Sequence, residues 1–431
     1  MDKIFHLKEH GTTVKREILA GLTTFLTMAY ILAVNPGMLG IIGNGMTPGA
    51  VFTATAIASA IATIVMAFTA NLPVALAPGM GLNAFFAFTV VLGMGCSWQM
   101  ALTAVFLEGI LFVILSLLNV REAIINAIPV NLKRAVAVGI GLFIALIGFA
   151  NAGIVVNDAG TIIGLGNITS PHPIMALVGL VIIIVLYSLK VPGAILIGIL
   201  GTTIISIIFG IASIPNGWSL FSVPAAPLLF QFDFSNIFSF QFFTVFFTFL
   251  FVDIFDTVGT LMGVTTQAGL IDKNGNIPRV KQALLSDAIG TVAGAALGTS
   301  TVTSYIESSA GVASGGRTGL TALTSGILFF LALVLSPLFL LVPTFATAPA
   351  LIFVGFLMIA PVVEIDFKDP TEGIPAFLAI VMMPFAYSIA EGIVYGLLSY
   401  TLLKAATGKF KDIPVVTWVL FVVFIFRYFV R

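Results

Sequence analysis

The chain has 431 residues, 59% of them apolar and only 8% charged, whereas an ordinary soluble domain is roughly a quarter charged. Formal net charge is zero and basic residues are few, which leaves no footprint for nucleic acid. The single cysteine, Cys96, excludes an internal disulfide and any multi-cysteine metal centre, and reads as a packing residue.

The leader MDKIFHLKEHGTTVKRE is followed by a long apolar stretch, with no short apolar region leading to a small-residue cleavage site. Residues 1–17 therefore read as a cytoplasmic lead, with His6 and His10 solvated. From 18 to 107 there is no Asp, Glu, Lys or Arg, a run long enough for several crossings. Taking about 20 apolar residues per crossing, the predicted spans are 18–35, 50–70, 98–118, 134–151, 173–189, 193–211, 238–265, 280–297, 319–340, 346–363, 375–389 and 391–407. Segments 76–93 and 302–316 are too interrupted by Gly, Pro, Ser and Thr for plain helices, and are read as re-entrant or half-helical crossings with short extended pieces. The expected fold is an all-α polytopic membrane protein of fourteen segments. Apolar residues 414–430 are read as a peripheral helix, because another crossing would carry Arg431 outside.

Basic residues test this order independently. With the N-terminus inside, cytoplasmic segments hold Lys3, Lys8, Lys15, Arg16, Arg121, Lys133, Arg134, Lys190, Lys273, Arg279, Lys281, Arg317, Lys368, Lys404, Lys409 and Lys411. The loops placed outside, 36–49, 152–172 and 212–237, hold no Lys or Arg, the distribution the positive-inside rule demands.

The chain also repeats. GLTTFLTMAYILAVNP, AVFTATAIASAIATIVMAFTA and the broken NLPVALAPGMGLNAFF match in order FLFVDIFDTVGTLMGV, ALLSDAIGTVAGAALG and the broken TSTVTSYIESSAGVASGG. Later, VPGAILIGILGTTIISII has a counterpart in IAEGIVYGLLSYTLLKA. Seven segments, an odd number, separate the counterparts, so the halves are inverted relative to one another; paired interrupted segments then point to the binding site.

Candidate site residues follow from that pair. Pro73, Pro78, Gly79 and Gly81 open the first broken segment, and backbone groups near Ala77–Asn83 and Val302–Glu307, Ser304 among them, are expected to meet a polar planar solute or one another. Asp253 and Asp256, three apart on a Phe-rich helix, share one face, where like charge and burial favour proton uptake by at least one. Glu307 either reads a ligand or pins its own segment, and Asn83 offers a donor and an acceptor for either purpose. Tyr30 and Thr27 line the same cavity or pack; Glu108 and Asp287 are structural or support the site from behind; Arg317 is a topology anchor or lipid contact. No GxxxxGK[ST] sequence is present, so transport would be secondary. A passive channel or scaffold explains the spans but leaves the buried acids idle, and three acids argue against an anion carrier.

At GLTTFLTMAYILAVNP, APGMGLNAFFAFTV, FVDIFDTVGTLMGV and GTSTVTSYIESSAGVASGGRTGLTAL the chain resembles the nucleobase–cation symporter 2 superfamily, in its AzgA-like branch of adenine/guanine/hypoxanthine permeases. The resemblance implies a 7+7 inverted repeat divided between core and gate. The core would be segments 18–118 and 238–340, and the gate segments 134–211 and 346–407, with 408–431 peripheral. It implies purine import coupled to protons rather than sodium, without cofactor or metal, at the cell inner membrane. Homodimers occur in related proteins of this fold. Carried over by motif, Asp253 and Glu307 would coordinate the base, with Asn83, Tyr30, Gly81 and Ser304 lining the site and Asp256, Asp253 and Glu307 serving the proton.

Overall fold

A computed structural model describes residues 2–117, 129–158, 160–271 and 277–429. Residue 118 of the third predicted span and the topology marks Arg121, Lys273 and Arg431 lie outside them.

In chain order the elements are α1 (Val14–Met28), α2 (Ile31–Leu39), α3 (Pro48–Thr69), β1 (Leu76–Pro78), α4 (Met80–Ala84) with its π-helical continuation Phe85–Gly93, and α5 (Trp98–Leu117). Next come α6 (Val130–Asn151), the hairpin β2 (Val155–Asp158) and β3 (Ile162–Leu165), α7 (Pro171–Ser188) and α8 (Ala194–Ile208). The second half has α9 (Phe240–Gln267), α10 (Val280–Leu297), β4 (Val302–Ser304), α11 (Ser308–Ala313), α12 (Gly319–Leu331) and α13 (Ser336–Leu340). It closes with α14 (Thr344–Leu357), α15 (Pro370–Phe385), α16 (Ile389–Ala406) and α17 (Val415–Phe429). Among the described residues, eight helical stretches are long and apolar enough to cross a bilayer, and Met80–Gly93, Ala194–Ile208 and Pro370–Phe385 are shorter apolar helices.

The helices sort into two packed sets. In one, α3 lies against α10 and α12, α5 against α9 and α10, and α1 against α11 and α12. In the other, α6 lies against α14 and α15, α15 against α16, and α7 against α8 and α14. Helix α17 joins the second set, with Leu420 and Phe424 in one apolar cluster with Leu132, Leu397 and Phe251.

Two local features depart from the reading of the sequence. The first predicted span is not one uniform helix: it tightens at Ala29–Tyr30, where the Leu32 N–H reaches the Ala29 carbonyl three residues back at 3.1 Å, and then runs on through α2. The loop expected at 152–172 carries the β2–β3 hairpin, paired from Val155↔Leu165 to Asp158↔Ile162. Its turn is closed by Asp158, whose carboxylate accepts from the Gly160 and Thr161 N–H groups at 2.8 and 3.0 Å.

Candidate functional site

The two broken segments meet. β1 and β4 pair antiparallel in the register Leu76↔Ser304, Ala77↔Thr303 and Pro78↔Val302. The ladder extends on both sides, Gly79 N–H donating to the Thr301 carbonyl and Tyr305 N–H to the Ala75 carbonyl, each at 3.0 Å. At membrane depth no water is available to satisfy an extended backbone, so each strand supplies the other's partners. The strands cross closely at Gly79: a Cβ there would sit 2.6 Å from Thr303 Cγ2 and 3.6 Å from Asp256 Oδ2.

Helices behind the strands complete the pairing in matched fashion. Thr63 of α3 accepts from the Leu76 N–H at 2.9 Å and lies 3.1 Å from its carbonyl, while Thr291 of α10 donates to the Val302 carbonyl at 2.9 Å. The Pro78 carbonyl accepts from the Tyr305 hydroxyl at 2.6 Å and from Asn83 Nδ2 at 3.3 Å. Asn83 Oδ1 in turn accepts from the Ser300 hydroxyl, so both ends of this amide are engaged within the protein. Much of the backbone that the Pro and Gly residues free is thus claimed by strand and side-chain partners.

Glu307 follows β4 and immediately precedes α11. It is half-buried, and one carboxyl oxygen accepts from the Tyr30 hydroxyl at 2.5 Å. Tyr30 owes that position to the tightened turn in the first helix, one turn beyond Thr27, whose hydroxyl is 3.4 Å from the Glu307 backbone carbonyl. Asp256 is half-buried on α9 and is an electrostatic neighbour of Glu307, Tyr30 and Tyr305. Ile306, next to Glu307 in the chain, is exposed. Two carboxyl groups, one phenol directed at a carboxylate and a strand crossing therefore converge on one half-open place.

Asp253 is placed differently. It is fully buried, with Oδ1 3.4 Å from the Thr257 hydroxyl, which donates to Asp287 at 2.7 Å and lies 2.8 Å from the Thr303 hydroxyl. Asp253 and Asp287 thus flank one hydroxyl behind β4. Gly81 is buried against α6, where a Cβ would fall 2.6 Å from Ile140 Cγ2, and Ser304 is buried in the strand opposite Leu76. Cys96 accepts from Gln241 at 3.1 Å.

One acid escaped the sequence reading. Glu17 is fully buried and accepts from the N–H groups of Arg317, Thr318 and Thr321 at 2.9, 3.2 and 3.2 Å, and from the Thr318 and Thr321 hydroxyls at 2.9 and 2.6 Å. It caps α12 from 300 residues away, placing a negative charge where the first amides of that helix point. The sequence cue was present as TGLT after Arg317, a helix start with no acid of its own nearby.

This geometry can be set beside known proteins. A model of the permease family, the xanthine/uracil type, matches residues 15–395. The chain belongs to the xanthine/uracil permease family. Among curated members, the guanine/hypoxanthine permease PbuG of Bacillus subtilis is 48% identical over 99% of this chain and 98% of its own. The adenine permease AdeP of Escherichia coli is 44% identical over 99% of this chain and 95% of its own. Among solved structures, the transmembrane domain of the bicarbonate transporter BicA from a cyanobacterium superposes with a TM-score of 0.67 at 16% identity, covering 89% of this chain and 97% of that one. The fold is thus that of a polytopic membrane permease with the two-body, core-and-gate architecture.

Proposed function

We propose that this permease imports purine nucleobases by proton symport, with the base held between Asp256 of α9, Glu307 and the crossing of the two broken segments. The observation that carries the reading is the convergence of Asp256, Glu307 and Tyr30 on one half-open place beside that crossing, in a chain whose relatives include named guanine/hypoxanthine and adenine permeases along its whole length. A purine edge presents alternating donors and acceptors. A carboxylate accepts from ring N–H groups and, once protonated, donates to ring nitrogens, so two carboxyl groups suit either pattern.

Asp256 stands next to the ligand in this reading, and Asp253 acts from behind through Thr257 and Thr303, because Asp253 is sealed and Asp256 is not. Asn83, Gly81 and Ser304 shape the crossing, and Tyr30 aims Glu307. The proton resides on the acids of this group, Asp253, Asp256 and Glu307. A base without its proton partner leaves a buried donor or acceptor unmet, at a cost of about 1–3 kcal/mol, which links the two cargoes.

The architecture we assign is fourteen segments in a 7+7 inverted repeat, N-terminus in the cytoplasm, in the inner membrane. The matched hydroxyls of Thr63 and Thr291 behind the two strands support it, as does the absence of Lys and Arg from 36–49, 152–172 and 212–237. The α1–α5 and α9–α13 regions form the body that carries the base, and α6–α8 with α14–α16 the body it moves against. The likeness to a bicarbonate transporter speaks to fold alone, and acids at the site disfavour an anion.

The deciding experiment is uptake of radiolabelled hypoxanthine into proteoliposomes under an imposed proton or sodium gradient, with unlabelled guanine and adenine as competitors. Proton-driven accumulation blocked by purines is expected. Absence of purine-dependent flux from folded protein under either gradient would sink the proposal.

A further inference from the structure

A second polar site lies apart from the acids. A cavity of about 370 Å³ is lined by His10, Gly11, Arg16, Ala313, Ser314, Gly315 and Arg317. Two arginines and a histidine line it, and among the described residues no acid does. Acids of the adjoining chain have partners of their own: Glu17 takes five donors at the start of α12, among them the Arg317 backbone N–H but not its guanidinium, and Glu9 lies 3.6 Å from His6.

The cationic groups are set in place by the backbone around them. Gly315 has φ +103°, a conformation other residues rarely adopt, and a Cβ there would lie 2.7 Å from Arg16 Cδ and Nε. The glycine lets the Arg16 side chain cross the α11–α12 link. Arg317 is anchored at one end only: Nη1 donates to the Val312 and Gly316 carbonyls, each at 2.7 Å, which occupies both its hydrogens. Its remaining N–H groups are available to an outside acceptor. Beside this site the outer face of α1 exposes Ile18, Leu19 and Leu22.

We infer that this cavity binds the phosphate of an anionic phospholipid headgroup. A guanidinium fork matches phosphate oxygens in pairs, and weak guanidinium hydration favours such contacts at a membrane surface. Arg16 stands in the first turn of α1, where a spanning helix meets the headgroup layer, and the exposed apolar side chains beyond it offer a bed for acyl chains. A free phosphate ion would satisfy the cations but leave that apolar face uncovered. A bound headgroup would clamp α1, which leads into Tyr30, to the link between α11 and α12, the far end of the short helix that Glu307 precedes.

The test is native mass spectrometry of the purified full chain with phosphatidylglycerol or phosphatidylcholine, with and without inorganic phosphate as competitor. Wild type should retain phosphatidylglycerol in preference to phosphatidylcholine. Arg16→Gln, which removes an exposed group and leaves the Arg317 anchor intact, should reduce that retention roughly fivefold, the scale of one basic residue at an anionic surface. Arg16→Lys should restore part of it. Displacement of the lipid by inorganic phosphate would locate the contact at the headgroup phosphate. Equal retention of the two lipids, or of phosphatidylglycerol by wild type and Arg16→Gln, would overturn the inference. So would a phosphate-induced rise in melting temperature with no preference for the anionic lipid, which would mark a site for the free ion.

Discussion

Glu17 and Glu307 lie along one seam, where α1 meets the chain that follows β4, yet their surroundings are opposite. Glu17 is sealed and surrounded by five donors, all from the start of α12. Glu307 is half-open and has one short bond, from Tyr30, at one of its two oxygens. Thirteen positions along the first span, roughly 20 Å of helix, separate Glu17 from Tyr30. A buried acid whose acceptor capacity is filled holds structure together; one left with capacity on an open side is available to a ligand. The first span therefore anchors α12 near its start and meets Glu307 through Tyr30 just beyond the end of α1.

That contrast breaks most sharply at Glu307 itself. Glu307→Ala should lower purine accumulation by roughly 100-fold or more while melting temperature and monodispersity hold, because a charge-assisted contact to the base is lost rather than a packing one. Uptake close to wild type would remove Glu307 from the site. Asp256→Asn should also depress transport and flatten its dependence on external pH; an unaltered pH profile would move the proton elsewhere.

Glu17→Ala should do the reverse. The Arg317 N–H and the Thr318 N–H and hydroxyl lose their acceptor, while Thr321 keeps the Thr318 and Glu17 carbonyls, so the melting temperature and yield should fall markedly, at about 1–3 kcal/mol for each buried donor left unmet. Uptake per folded molecule should change little. A stable Glu17→Ala protein with no uptake would erase the distinction between the two acids. Tyr30→Phe sharpens it further. Loss of the 2.5 Å bond should raise KM by roughly tenfold, with a smaller change in maximal rate, if the phenol's task is to aim Glu307. An unchanged KM would reduce Tyr30 to packing.

The smallest effect concerns a half-buried ion cluster far from either acid. Lys409 sits 2.8 Å from Asp369, whose carboxyl is held below the usual range first by that ammonium and then by bonds from Thr371. A carboxylate depressed in the folded state stabilises above its unfolded pKa of about 4 and loses that contribution as pH falls through the folded value. Asp369→Asn should therefore lower melting temperature slightly at pH 7 and make the acid-side decline shallower, measured between pH 3 and 7. An identical decline in both proteins would show that the pair contributes nothing.

Much of this was legible because charge is so scarce. The broken segments announced themselves through Pro73, Pro78, Gly79 and the Ser- and Thr-rich stretch 299–304, and their mutual pairing follows from the cost of unpaired backbone in hydrocarbon. The tightened turn at Ala29–Tyr30 was hidden, because AYILAV contains neither Gly nor Pro to mark it. Spacing put Asp253 and Asp256 on one face but could not say which of them meets the open side. That depends on the rotation of α9 about its axis, set by packing against α5 and β4. Glu17 was masked by its place among leader charges, its partners being 300 residues away.

The strand crossing also sets a timetable. Tyr305 and the Pro78 carbonyl it meets are 227 positions apart in the chain. At about 5–20 residues per second of synthesis, the first strand is made roughly 10–45 seconds before its partner exists. During that interval Leu76–Pro78 has hydrogen-bond partners from its own half alone, Thr63 at Leu76 and Asn83 at Pro78. The crossing beside the proposed site is thus complete only when the chain has passed residue 305, and a ribosome halted before residue 300 leaves a chain that has the first strand but neither its partner nor Glu307.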